Sequence, residues 1–179
     1  MYWAKDCGYS AIVPKEDGET GFAISLEEIP MPAEGASATL TRTQFRRPVM
    51  ENAVVNAKAA ALYPNNARMV ADAMGNVAET ATANVFAVKD GVVFTPIPNG
   101  TFLAGITRAR HISNLRADGV EVVEKIMSFD EFHDADEIFL SGNMSKVTPV
   151  TAFDDTQYQV GPITRRTREL YWDWARRTA

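Results

Sequence analysis

The stretch that decides the reading is "GNVAETATANVFAVKDGVVFTP", residues 75–96. It opens on a Gly-Asn turn signal and closes on two β-branched and aromatic runs, "NVFAVK" and "VVFTP", flanking Asp90-Gly91. That spacing predicts a hairpin, because a two-residue loop matched to the strand twist needs residues that tolerate positive φ. Between turn and hairpin sits Glu79, surrounded by alanine, threonine and valine with no cation within four residues on either side. As a strand-surface carboxylate it is ordinary. Buried, it needs a positive group brought by the fold or by a ligand.

Working outward, "GFAISLEEI" (21–29) reads as a strand and "PMPAEGA" (30–36) as a breaker and linker. "SATLTRTQF" (37–45) alternates as a second strand, and "RMVADAMGNVAET" (68–80) reads as strand, turn, strand. From Gly105 the period changes: Ile106, His111, Ile112 and Leu115 fall near helical spacing and Gly119 is the stop. "VEVVEKIM" (120–127) and "DEIFLSG" (136–142) are strands around a short helix opened by the Ser128–Glu131 capping-box pattern. Pro162 starts a final helix in which arginines alternate with aromatics. The fold class expected is a mixed α/β (α+β) domain of many short strands and few helices.

Composition narrows the function. At 179 residues, with 46% hydrophobic and 23% charged residues, the chain can bury a core without staples. A net charge of −5 argues against nucleic acid as the main partner. Cys7 is alone, so no internal disulfide forms, which suits a reducing cytoplasm. His111 and His133 stand far apart, which argues against a metal site. No run of apolar residues is long enough to span a membrane.

Three features carry chemistry. In "NAKAAALY" (56–63), Lys58 sits among alanines ahead of Tyr63; a lysine in an apolar pocket is a usable amine nucleophile, whereas a solvated one is not. Glu79 would suit a protonated pyridine nitrogen. The loops "LAGITR" (103–108) and "SGNMS" (141–145) offer backbone N–H groups to a phosphate, or are simply a helix start and a tight turn. Amine, carboxylate, tyrosine hydroxyl and phosphate cradle together describe a pyridoxal 5′-phosphate site.

These residues also carry a resemblance. "GNVAETATANVFAVKDGVVFTP…FLAGITR" resembles the signature of the class IV aminotransferases, the fold type IV pyridoxal-phosphate enzymes. "NAKAAALYPNNAR" looks like the family's lysine segment, and "DEIFLSGNMSKVTPV" like its later phosphate and carboxylate loop. "FRRP", "LYPNNAR" and "SGNMSKV" look closest to branched-chain-aminotransferase-like members. The resemblance implies a D-amino-acid-aminotransferase-like fold, with residues 37–179 as the large cofactor domain and residues 1–36 as the end of a smaller domain plus linker. It implies that Lys58 forms the Schiff base and shuttles the substrate proton, and that Tyr63 donates to the cofactor's phenolic oxygen. Glu79 would pair with the ring nitrogen, with Asn84 matching five residues on. Gly105, Ile106 and Thr107 would hold phosphate, Asn143 phosphate and substrate carboxylate, and Met144 substrate.

The activity implied is transfer of the amino group of a branched-chain or hydrophobic amino acid to 2-oxoglutarate by a cytoplasmic homodimer. D-amino-acid transaminase, (R)-amine transaminase and aminodeoxychorismate lyase share the signature. Family members carry a complete smaller N-terminal domain, with an arginine for the phosphate and most substrate-recognition residues. Only its last strands are expected in residues 1–30, with Met1 an internal methionine. Members also hold a longer segment between lysine and glutamate; residues 59–78 are short by roughly one helix, about a dozen residues. The expectation is a cofactor domain with impaired or absent turnover as written, the rivals being a non-catalytic fragment and a small-molecule binder keeping the phosphate cradle alone.

Overall fold

The computed structural model describes residues 2–4, 20–22, 24–25, 28, 30–33, 35–47 and 68–178. Two compact units divide at Pro30, at the head of the Pro- and Gly-containing segment read as a linker. The first holds an antiparallel pair, β1 (Tyr2–Ala4) with β2 (Thr20–Phe22). Residues 24, 25 and 28, read from the sequence as part of a strand, lie outside it.

The second unit is built on a nine-stranded sheet. Its strands are β3 (Ala38–Arg46), β4 (Arg68–Ala71), β5 (Val77–Thr80), β6 (Asn84–Lys89), β7 (Val92–Pro96), β8 (Val122–Lys125), β9 (Glu137–Gly142), β10 (Lys146–Phe153) and β11 (Thr156–Gln157). Their order is β5-β4-β3-β10-β9-β6-β7-β8, with β11 added to β10. β3 runs parallel to both β4 and β10, and β8 parallel to β7; the other pairs are antiparallel. Among the described residues three helices complete the unit: α1 (Ile106–Ala117), α2 (Phe129–His133) and α3 (Pro162–Thr178).

The sheet rolls on itself. β5 lies at one end of the strand order, yet the short turn at Ala81–Ala83 joins it directly to β6 near the other end. The N–H of Val77 also donates to the Met127 carbonyl at 2.8 Å, tying β5 to the segment after β8. Inside the roll pack Leu40, Met69, Val85, Ala87, Phe132 and Phe153. Outside it Phe86, Val88 and Phe139 pack with Ile112 and Leu115 of α1. "VFAV" therefore reads as an unbroken apolar run because both faces of β6 are covered, alternate residues entering different cores. Phe86 and Phe139 stack across β6 and β9 with centroids 4.7 Å apart.

The local signals resolve as their chemistry predicts. Asp90 and Gly91 take φ of 51° and 78°, both positive as the hairpin turn demands. Ser128 and Glu131 form both bonds of the capping box. Gly119, at φ 87°, ends α1, with the Val120 N–H returning to the Leu115 carbonyl at 3.0 Å. β10, with its short partner β11, is absent from the sequence reading. Pro149 interrupts its run, and proline usually marks an edge strand. Its pairing to β3 begins only at Val150, so Pro149 has one neighbouring strand to satisfy, at Phe139 of β9. Among the described residues, no helix is long and apolar enough to cross a membrane.

Candidate active site

Three segments converge on one cleft of about 740 Å³: Glu79 with the turn after it, the Leu103–Thr107 approach to α1, and Ser141–Asn143 at the end of β9. Strand pairing produces the convergence. β6 pairs with β9, so Asn84 lies opposite Ser141. The turn into β6 places Glu79 beside both, and the loop after β7 delivers α1 above them. Tyr171 and Trp174 of α3 line the far wall, where the Arg110 guanidinium lies 4.1 Å over the Trp174 ring.

Glu79 is buried, and the cation it requires comes from the chain. Arg47 Nη2 stands 3.1 Å from Glu79 Oε1 with both side chains almost wholly buried. The sheet makes this meeting: the Arg47 N–H donates to the Ala71 carbonyl at 2.7 Å, while Glu79 faces Val70 one residue along the same strand. Arg47 Nε donates to the Thr101 carbonyl at 3.0 Å. Thr101 is held in turn by Asn99, and Asn99 by Asp72. On the other carboxylate oxygen, Asn84 Nδ2 approaches Glu79 Oε2 at 3.4 Å. Burial pushes Glu79 up to about 7, against the pull of Arg47 and the Leu103 N–H.

Asn84 works as a clamp. Its Nδ2 donates to the Leu103 carbonyl at 2.8 Å, and its Oδ1 lies where a Cβ on residue 105 would stand. Gly105 is thus required for close packing; its φ of −62° is open to any residue. Following it, α1 begins with no side-chain cap and no acidic residue in its first turn. Its first amides and positive dipole end face the cleft at Ile106 and Thr107.

The donor set fits a phosphate-bearing pyridine. Ser141 Oγ is buried on the cleft wall without a hydrogen-bond partner, an orphan that calls for an oxygen-rich ligand. It stands beside the uncapped helix start, and the buried carboxylate lies in the same cleft. Sequence reasoning placed Ser141 only in a loop of backbone donors, without its hydroxyl, and Arg47 only within "FRRP". Asn143 lines the cleft, its Oδ1 accepting from Lys146 Nζ at 2.9 Å. Met144 is 69% exposed and is not part of the lining. Lys58 and Tyr63 lie outside the described residues. Among the described residues no group of acidic, histidine and cysteine side chains could hold a metal ion.

Residues 1–153 match the family model for amino-transferase class IV. The chain belongs to that family. Its fold is the mixed, rolled sheet with few helices of the class IV aminotransferases. It superposes on a solved aminotransferase from Brucella abortus, bound to the co-factor PLP, with a TM-score of 0.90 and 50% identity. That match covers 98% of this chain and 66% of the other. The branched-chain amino acid aminotransferase of Escherichia coli gives 0.69 and 30%, covering 76% of this class IV chain and 52% of that one. By sequence, the Escherichia coli branched-chain-amino-acid aminotransferase is 38% identical over 104 residues, 56% of this chain and 34% of the relative. A putative branched-chain-amino-acid aminotransferase of Methanocaldococcus jannaschii is 31% identical over 175 residues, covering 89% of this chain and 61% of the relative. The class IV chain thus spans between about a third and three fifths of these curated relatives.

Proposed function

We propose that this class IV chain binds pyridoxal 5′-phosphate and is the cofactor-domain portion of a transaminase. Its amino donor is a branched-chain or other hydrophobic amino acid, and its acceptor is 2-oxoglutarate. The observation that carries the reading is one cleft holding a buried carboxylate, an uncapped helix start and an orphaned serine hydroxyl. The Brucella abortus structure, which bears PLP on the same fold, supports it, as do the branched-chain relatives.

The cofactor, when bound, supplies an electron sink for the substrate's α-carbon. The chain does the rest. Glu79 would accept a hydrogen bond from the ring nitrogen and favour its protonated form. Ile106 and Thr107 present their amides, and Thr107 its hydroxyl, to the phosphate, with Gly105 allowing close approach and Ser141 and Asn143 on the opposite lip. Asn84 holds the Leu103 carbonyl so that the helix start stays aimed at the anion. Lys58 would hold the cofactor through its amine and carry the proton at the α-carbon; Tyr63 would donate to the phenolic oxygen. Asn143 and Met144 flank the substrate carboxylate. The protein works as a cytoplasmic homodimer, with residues 1–36 the end of a smaller domain and its linker.

The test is the visible absorption of purified protein with added pyridoxal phosphate, before and after borohydride, beside Lys58→Ala. A band that borohydride alters irreversibly and the alanine variant lacks is expected. A panel of amino donors with 2-oxoglutarate then reads the substrate, and sedimentation the dimer. No band in the native sequence removes the cofactor reading.

A further inference from the structure

The cleft wall has a second layer. Arg47 lies behind Glu79: Glu79 lines the cleft and Arg47 does not. The guanidinium is fixed by contacts of different kind, among them Nε to the Thr101 carbonyl at 3.0 Å and Nη2 to Glu79 Oε1 at 3.1 Å. Its backbone N–H is tied to β4 as well, through the Ala71 carbonyl. A charge held from three sides in a buried site does not move when a ligand enters.

The other neighbours of Glu79 are neutral. β4 places Val70 opposite it, β6 supplies the Asn84 amide, and the approach to α1 supplies the Leu103 N–H. Among the described residues, Arg47 is therefore the charged group acting on this carboxylate.

We propose that Arg47 is a positioning residue that determines where the proton between Glu79 and the cofactor's ring nitrogen resides. The inference rests on the cofactor reading given above. A proton shared between a carboxylate and a pyridine has two resting places, giving a neutral pair or an ion pair. A fixed cation behind the carboxylate is nearer the carboxylate than the nitrogen, so it favours the form with negative oxygen and protonated ring. Burial alone works the other way, since it penalises both charges. With a ring nitrogen facing the carboxylate, Arg47 tips this balance toward the ion pair, and with it how strongly the ring withdraws electrons. It does so without touching the cofactor.

The experiment uses pyridoxal 5′-phosphate labelled with ¹⁵N in the ring, bound to the native protein, Arg47→Gln and Arg47→Lys, and read by NMR. Glutamine keeps a hydrogen-bond donor toward Glu79 and removes the charge; lysine keeps the charge. The native protein and Arg47→Lys are expected to show the upfield resonance of a protonated ring nitrogen, and Arg47→Gln the downfield resonance of a neutral one. A protonated nitrogen in Arg47→Gln overturns the proposal. So does a neutral one in Arg47→Lys, which decides the matter alone should the glutamine variant fail to fold. Failure of the native protein to bind the labelled cofactor removes the underlying cofactor reading, an outcome separate from either variant's resonance.

Discussion

Arg47 and Glu79 meet at 3.1 Å across β4, one from the end of β3 and the other from β5, and both are buried. A buried pair of this kind contributes little net stability, since desolvating two charges offsets most of their attraction. Its value is in holding a charge where the cleft needs one. Four consequences of this and neighbouring arrangements are open to measurement.

Glu79 makes folding pH-dependent in an unusual direction. Its pKa rises from 4.5 in the unfolded chain to about 7 in the fold, so between these values the folded state binds more protons. Stability from this group is therefore greatest at low pH and falls as pH rises from about 4.5 to 7, by about 3 kcal/mol. Subtracting the urea-unfolding pH profile of Glu79→Gln from that of the native protein should leave this falling slope. A flat difference would mean that Arg47 holds the carboxylate fully ionised.

His111 acts oppositely over nearly the same range. Its Nε2 donates to the Lys146 carbonyl at 3.0 Å, while Nδ1 has no partner, between the rings of Phe86 and Tyr171. Burial lowers its pKa from 6.5 to about 4, so the unfolded chain takes up the proton first. Stability is full above 6.5 and falls by about 3 kcal/mol as pH drops toward 4. His111→Gln, which retains a donor, should lose this acid sensitivity. In the native protein the two groups largely cancel, and only the single variants expose each slope.

Gly105 is held by contact with Asn84. A methyl group there would overlap Asn84 Oδ1, so the clamp on the Leu103 carbonyl has to give. Gly105→Ala should cost about 1–3 kcal/mol in stability. It should also weaken pyridoxal phosphate binding, followed by fluorescence titration. Gly105→Ala combined with Asn84→Ala relieves the overlap and should recover part of the stability but not the affinity.

α3 depends on a carboxylate from another element. Glu137 of β9 is buried and accepts from the Ile163 and Thr164 N–H groups at 3.1 and 2.8 Å and from the Thr164 hydroxyl at 2.6 Å. Gly161 lacks the Cβ that would collide with it. Glu137→Ala removes a charged cap and should destabilise the protein by about 2 kcal/mol. Amide exchange should rise first in the opening turn of α3, beginning at Ile163 and Thr164.

What the sequence determined by itself is local. The Asp90-Gly91 hairpin, the Ser128–Glu131 box, the Gly119 stop and the Pro162 start each follow from the conformational preferences of a few adjacent residues. The turn, the carboxylate Glu79 and the helix start at Gly105, Ile106 and Thr107 are legible for the same reason, since they are local features; that they line one cleft is not. Tertiary structure alone decided the rest. β10 overrides its own proline because β9 and β3 pair with it. Arg47 becomes the partner of Glu79 because β4 lies between them, and Glu137 caps a helix that begins well beyond its own strand. Ser141 reaches the cleft because β9 pairs with β6. In each case the deciding contact joins segments far apart in the chain, and its free energy appears only when the rolled sheet has excluded water from both sides.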